Sequence, residues 1–269
     1  MELSQKTLLL IRDILISVGI VGIILAALWG YTGQFPQSPM VVVTSGSMMH
    51  DGEPYPEASY GKIGTIDPGD LVLVKKINDR TDVIPRGALG NPDTKHRTYR
   101  EYGDVIIYYP MGNKERVPII HRAICWVEVN GDGTYTVEAY GIERAESITI
   151  EELHLNGYKP QNSGFITKGD NNEYPDQIPS GGICEQPVKV DWIVGKARGE
   201  IPWFGLIKLM IFGNGMGYDG PDAVKVGNAV APKDEWVCLG LSMLLLIGLP
   251  TGWDAYNYYK KWKSEKLRL

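Results

Sequence analysis

The chemistry open to this chain is bounded first by its four histidines. His50, His96 and His154 stand in polar, turn-rich surroundings, whereas His121 lies inside the apolar stretch VPIIHRAI. An imidazole accepts a proton near neutral pH, so His121 is a base wherever a nucleophile is close; a hydrogen-bonded core histidine has the same surroundings. The candidate nucleophile is Ser47 in Thr44-Ser45-Gly46-Ser47-Met48-Met49, where small residues follow a β-branched run and Gly46 relaxes the turn. A non-catalytic polar turn has this composition too. The third group is Lys168-Gly169-Asp170-Asn171-Asn172, followed by Asp176. One of its aspartates held rigid and the other receiving the His121 N–H would set the imidazole tautomer and stabilise imidazolium. An Asx turn is the plain alternative. The spacing after Asp170 lacks the alternating oxygens and terminal glutamate of an EF-hand, and no zinc pattern is completed around His121 and Cys125. Serine, histidine and aspartate need neither a metal nor an organic cofactor for acyl transfer.

The elements that must position these residues read as short strands. Apolar, β-branched runs occupy residues 40–44, 71–76, 105–109, 117–129, 134–139, 165–168 and 192–198. Turn signals separate them, among them Asp67-Pro68-Gly69-Asp70 and Asn130-Gly131-Asp132-Gly133. No long amphipathic helix pattern appears between residues 32 and 235 apart from a short one near 150–155. The expected fold is all-β: a sandwich or barrel-like domain of short antiparallel strands over 33–212. Residues 77–102 and 139–163 are polar and read as surface insertions. Residues 213–234 are glycine-rich and read as a linker. The apolar stretch 203–212 fits a core segment and a membrane-surface segment equally well. Cys125 and Cys184 fit a disulfide or two buried thiols.

Both ends of this domain meet an uncharged apolar run, residues 14–31 and 236–253, each long enough to cross a bilayer as a helix. Trp29, Tyr31, Trp236 and Trp253 sit at the ends of these runs, where indole and phenol favour the headgroup layer. The first run exceeds a cleavable signal segment and is expected to stay as an anchor. The reading is therefore a transmembrane anchor at 13–32, a second transmembrane helix at 235–256, and Pro250 kinking its end. Lys6 and Arg12 flank the first run, and Lys260, Lys261, Lys263, Lys266 and Arg268 follow the second. Basic flanks remain cytoplasmic, so 1–12 and 257–269 are expected inside and the β-domain outside. The net charge of −5 hides an acidic middle, with 20 Lys and Arg against 28 Asp and Glu between Gly30 and Glu235. That balance excludes a nucleic-acid partner.

Each motif alone is weak, but their order is specific. SGSM at 45–48, GDLVLV at 69–74, GDVIIYYP at 103–110, IIHR at 119–122, KGDNN at 168–172 and VGKARGEIPWFG at 194–205 follow one N-terminal anchor. In these blocks the chain resembles the type I signal peptidases, in their archaeal and endoplasmic-reticulum branch. The resemblance implies Ser47 as nucleophile and His121 as base, in place of the lysine of the bacterial branch. Asp176 is then the orienting acid and Asp170 a second functional aspartate. It also implies an oxyanion hole from the Ser47 backbone N–H with the Ser45 hydroxyl, and cleavage of secretory precursors after small-x-small sites. A substrate strand would add beside Val41, Val43 and Thr44, with Met48 at the cleft. Membrane lipid and subunits of the secretion machinery are the expected partners. Met49 and His50 stand where the family usually has proline, and the second span is absent from many relatives. The rival readings are a same-fold protease for pilin-like substrates and a catalytically silent scaffold of the secretion machinery, which would tolerate loss of Ser47.

Overall fold

The computed structural model describes residues 5–50, 63–178, 181–215 and 217–266; Arg268 of the basic tail lies outside them. The chain forms two compact units, one of residues 1–41 and 72–199, the other of residues 42–71 and 200–269.

The first unit begins with helix α1, Gln5–Thr32. An eight-stranded sheet follows, made of β1 (Met40–Val42), β2 (Leu71–Lys75), β3 (Val105–Tyr108), β4 (Ile119–Val129), β5 (Tyr135–Val137), β6 (Ile142–Ala145), β7 (Gly164–Lys168) and β8 (Ile193–Ile201). Their order is β1-β2-β8-β3-β4-β5-β6, with β7 also paired to β4. The pairs β8–β3, β3–β4, β4–β7, β4–β5 and β5–β6 are antiparallel. Seven strands were expected at these places and all seven form. The unbroken apolar run of β3 is buried at every position, as a central strand requires. The Asn130–Gly133 turn closes β4 onto β5 through Gly133 N–H to Asn130 O, 3.0 Å.

The two stretches read as surface insertions are different in the structure. Residues 148–158 form a hairpin, Ile148–Ile150 with Leu155–Tyr158. Ile148, Ile150, Leu153, Leu155 and Tyr158 are buried in one cluster with Ile124, Val127, Val137 and Ile166. Each buried Ile or Leu there stabilises the unit by about 1.5–3 kcal/mol. The apolar residues alternate with Glu, His and Asn, so mean polarity concealed a strand pattern. Residues 77–102 carry two short ladders, Gly87–Ala88 with Asn91–Pro92 and Arg97–Thr98 with Glu101–Tyr102, and bury Ile77, Val83 and Arg86. Cys125 and Cys184 are free thiols buried in separate clusters, so no disulfide joins them.

Asp104 fastens the 77–102 stretch to the sheet. Its carboxylate is fully buried and meets His96 Nε2 at 2.8 Å, Arg198 Nη2 at 2.8 Å, Lys196 Nζ at 3.2 Å and the Ile84 N–H at 3.1 Å. Burial pushes this carboxyl up, but the Ile84 N–H, Arg198, His96 and Lys196 together outweigh it and hold the pKa below the ordinary carboxylate value. A depressed carboxylate contributes stability that is present above its unfolded pKa and lost as pH falls through the folded one. Asp104→Asn is therefore expected to cost about 3–5 kcal/mol at pH 7. The gap to wild type should narrow below about pH 4. Denaturant melts across pH check this; a gap that stays constant into acid would contradict it.

In the second unit, the 213–234 stretch is no open linker. It contains the antiparallel hairpin β9 (Ala223–Val226) and β10 (Ala229–Pro232). Ala229 and Ala231 are buried with Leu206 and Leu239, which lie on α2 (Gly205–Phe212) and α3 (Lys233–Met243). Gly227, at φ +59°, and Asn228 make the hairpin turn. Helix α2 packs Leu206 into this core, as the core reading of 203–212 expects, and leaves Ile211 61% and Phe212 77% exposed. Gly69, at φ +112°, ends the Asp67–Asp70 turn; a Cβ there would come within 2.7 Å of Leu206. Helix α3 continues through a π turn, Leu244–Gly248, into α4 (Leu249–Lys266). Pro250 lacks the N–H for an i→i−4 bond, and the wider turn before it accommodates that loss without ending the helix. Thr7–Thr32 and Lys233–Lys263 are long and apolar enough to cross a membrane.

Candidate active site

The register of the sheet decides which side chains meet. His121 pairs with Ile106 across β4 and β3, and Thr167 pairs with Ala123 across β7 and β4. Side chains two apart on a strand share a face. Tyr108, His121 and Thr167 therefore project from one face, while Arg122 projects from the other.

On the first face, His121 Nδ1 lies 2.7 Å from Asp176 Oδ2 and 2.9 Å from Oδ1. Both residues are 2% exposed. The loop after β7 delivers Asp176 because its N–H donates to Thr167 O at 2.8 Å and its carbonyl accepts the Cys184 N–H at 3.0 Å. Tyr108 donates its hydroxyl to Asp176 Oδ2 at 2.6 Å, and Thr167 Oγ1 donates to the same oxygen at 2.7 Å. Gln177 accepts the Thr167 N–H at 2.8 Å and donates to Thr167 Oγ1 at 3.1 Å. Sequence reading named His121 and Asp176 but missed Tyr108, Thr167 and Gln177. Tyr108 sits in the run VIIYY, where a tyrosine is indistinguishable from core, and Thr167 sits in an ordinary strand.

On the opposite face, Asp170 accepts both sides of the Arg122 guanidinium, from Nε at 2.7 Å and from Nη2 at 2.5 Å. Arg122 Nη1 also donates to Gly103 O at 2.9 Å and Tyr102 O at 3.2 Å. The side chains of Arg122 and Asp170 are 1% and 6% exposed. Sequence reading left open which aspartate meets the histidine; here it is Asp176. Removing one partner of a buried ion pair strands the other charge, so Asp170→Asn is expected to lose about 3–5 kcal/mol of stability. A melt within about 1 kcal/mol of wild type would show the pair to be dispensable.

Ser47 belongs to the second unit, in the 3₁₀ turn Gly46–Met48. Ser45, extended at the head of this turn, places its Oγ 3.3 Å from Ser47 Oγ. The Met49 N–H closes the turn on Gly46 O at 3.1 Å. Gly46 leaves room here: a Cβ would lie 2.9 Å from the Met49 sulfur and 3.1 Å from the Tyr218 ring, so these side chains would have to shift. Met48 and Met49, 1% and 2% exposed, hold the turn in the core. Of the residues expected along a substrate strand, Thr44 is exposed and Val41 half-buried, whereas Val43 and Met48 are buried. The Val43 backbone pairs with the 69–70 turn, its N–H to Asp70 O and its carbonyl from Gly69 N–H, each 3.0 Å. Strand β1 is an end of the sheet order.

An antiparallel β-domain flanked by two apolar helices, with a buried His–Asp pair on one sheet face, defines the class as a membrane-anchored β-domain. No family model matches the chain. It is similar to signal peptidase complex catalytic subunit SEC11 of Schizophyllum commune, 29% identical over 176 residues, covering 63% of this chain and 62% of that protein. The SEC11 of Uncinocarpus reesii is 27% identical over 181 residues, covering 65% of this chain and 69% of that protein. The SEC11 of Arthroderma otae is 27% identical over 186 residues, covering 66% of this chain and 68% of that protein. The chain thus spans less than two thirds of the first of these relatives. These similarities bear out the resemblance read from the ordered blocks: the chain is similar to signal peptidase complex catalytic subunits.

Proposed function

We propose that the chain is a membrane-bound serine endopeptidase that removes signal peptides from secretory precursors. The observation that carries this reading is the buried His121–Asp176 pair, at 2.7 Å, in a chain similar to signal peptidase catalytic subunits. With Nδ1 turned to Asp176, Nε2 is the nitrogen that takes the Ser47 proton as Ser47 Oγ attacks the scissile carbonyl. The Ser47 backbone N–H and the Ser45 hydroxyl stabilise the oxyanion, and loss of one such donor costs about 10²–10³ in rate. Protonated His121 then releases the mature chain's amine. Water activated by His121 frees the signal peptide from the acyl-enzyme. Asp170, through Arg122, supports the loop that carries Asp176.

The positional logic follows from the anchor. Ser47 comes about 15 residues after α1 ends at Thr32. A signal peptide is cut just beyond its own apolar segment. An extended substrate would add to β1 beside Val41 and Thr44, with small residues required at the first and third positions before the cut. Both basic termini are cytoplasmic in this reading, the chain is multi-pass, and the β-domain works outside, with lipid and further subunits as partners.

The test is cleavage of a signal-peptide-bearing precursor by the purified chain in lipid, with the new N-terminus identified by mass. Cleavage after a small-x-small site that Ser47→Ala abolishes supports the reading. Cleavage that Ser47→Ala leaves intact removes Ser47 from it. Absence of cleavage by wild type, with and without membrane extract supplying other subunits, favours the silent scaffold.

A further inference from the structure

We propose that Tyr108 and Thr167 are positioning residues, whose hydroxyls lock the Asp176 carboxylate in the orientation that fixes His121. The proposal rests on the Ser47–His121–Asp176 reading and deepens it.

Three donors converge on one oxygen. Asp176 Oδ2 receives Tyr108 OH at 2.6 Å, Thr167 Oγ1 at 2.7 Å and His121 Nδ1 at 2.7 Å. Tyr108 and Thr167 are 0% exposed, so these bonds lie out of water. A buried carboxylate without donors is costly and turns freely about its Cβ–Cγ bond, whereas one held from several directions cannot. The two hydroxyls arrive from β3 and β7, the strands on either side of β4, which carries the histidine. Thr167 is itself held by Gln177 through two hydrogen bonds, and its carbonyl accepts the Asp176 N–H. The dyad is therefore gripped by three adjacent strands and the loop.

The phenol is suited to this task. Burial, and next the charge of Asp176, hold its pKa well above the ordinary tyrosine value, so it donates across the working pH range. Cys184 also faces Tyr108, and burial raises its thiol, so it is uncharged there. A core tyrosine needs some hydrogen-bond partner, but not the oxygen that faces the catalytic imidazole. Both hydroxyls draw negative charge from Oδ2. Their loss leaves that charge concentrated on the oxygen facing His121 and loosens the carboxylate's orientation.

The test uses the full chain in lipid and a signal-peptide-bearing substrate. It measures kcat and KM across pH for wild type, Tyr108→Phe, Thr167→Val and Thr167→Ser, with Ser47→Ala in the same assay. The Phe and Val variants are expected to lower kcat about 10- to 100-fold, as for a hydrogen bond to a charged group, with KM nearly constant. The acidic limb of kcat should move up by about half a pH unit or more. Thr167→Ser restores the hydroxyl and should recover most of the rate. Unchanged kcat overturns the proposal. So does a fall in kcat that leaves the acidic limb in place and follows only a lower melting temperature. Should Tyr108→Phe fail to fold, the Thr167 pair decides by the same criteria. Full activity in Ser47→Ala would instead sink the parent reading, and this one with it.

Discussion

Ser47→Ala is expected to reduce precursor cleavage about 10⁶-fold, the loss seen when a serine nucleophile is removed from an acyl-transfer enzyme. The change deletes one oxygen from a half-buried side chain in the Gly46–Met48 turn. Ser45 Oγ approaches this oxygen to 3.3 Å, and the turn itself is held by the Met49 N–H on Gly46 O and by buried Met48. The melting temperature should therefore stay within a degree or two of wild type, because a surface-turn change of this size costs about 0.5 kcal/mol or less. Rate and stability thus separate. A residual rate about 10³–10⁴ above the uncatalysed one should remain, from binding and from the Ser47 N–H, which alanine retains. Single-turnover cleavage followed by gel mobility measures this range. A loss under tenfold would mean that another group attacks the carbonyl.

Asp176→Asn is expected to lower kcat about 10⁴-fold. Asparagine keeps the shape but turns one acceptor oxygen into an NH₂ donor. If that NH₂ faces His121, only an unprotonated Nδ1 can accept from it. The proton then resides on Nε2, the nitrogen that the proposed mechanism needs as an acceptor. At the Oδ2 place the NH₂ would also meet the Tyr108 and Thr167 hydroxyls, two donors already committed there; at the Oδ1 place it leaves at Oδ2 a neutral oxygen that keeps these donors but lacks the charge that stabilises imidazolium. Either orientation spoils the site, and KM should change little because Asp176 is buried 2% exposed beneath His121. Asp170→Asn provides the comparison. Its carboxylate serves Arg122, so its effect should fall mainly on stability. Should Asp170→Asn abolish cleavage at full stability while Asp176→Asn remains active, the two aspartates exchange roles.

Several features were legible from residue order alone. The seven main strands follow from apolar runs bounded by glycine, proline and aspartate, because backbone sterics and turn chemistry are local. The two terminal helices follow from uninterrupted apolarity, which water cannot accommodate at that length. Ser47, His121 and Asp176 were singled out because few residue types do acyl transfer and their blocks occur in a specific order. Three things depended on tertiary structure. The hairpin at 148–158 is core because its five apolar side chains reach Ile124 and Val127, partners distant in the chain. The 213–234 stretch folds because Ala229 and Ala231 meet Leu206 and Leu239, which composition cannot reveal. The choice between Asp170 and Asp176 was decided by strand register: a one-residue step from His121 to Arg122 changes sheet face, and each aspartate follows its own partner. Sequence by itself marked the residues whose types could react, and the strands that carry His121 or lead into the Ser47 turn and the Asp176 loop. Only the pairing of β3, β4 and β7 decided that Tyr108 and Thr167 surround the Asp176 carboxylate, because neighbours across a sheet are set by register and not by distance along the chain.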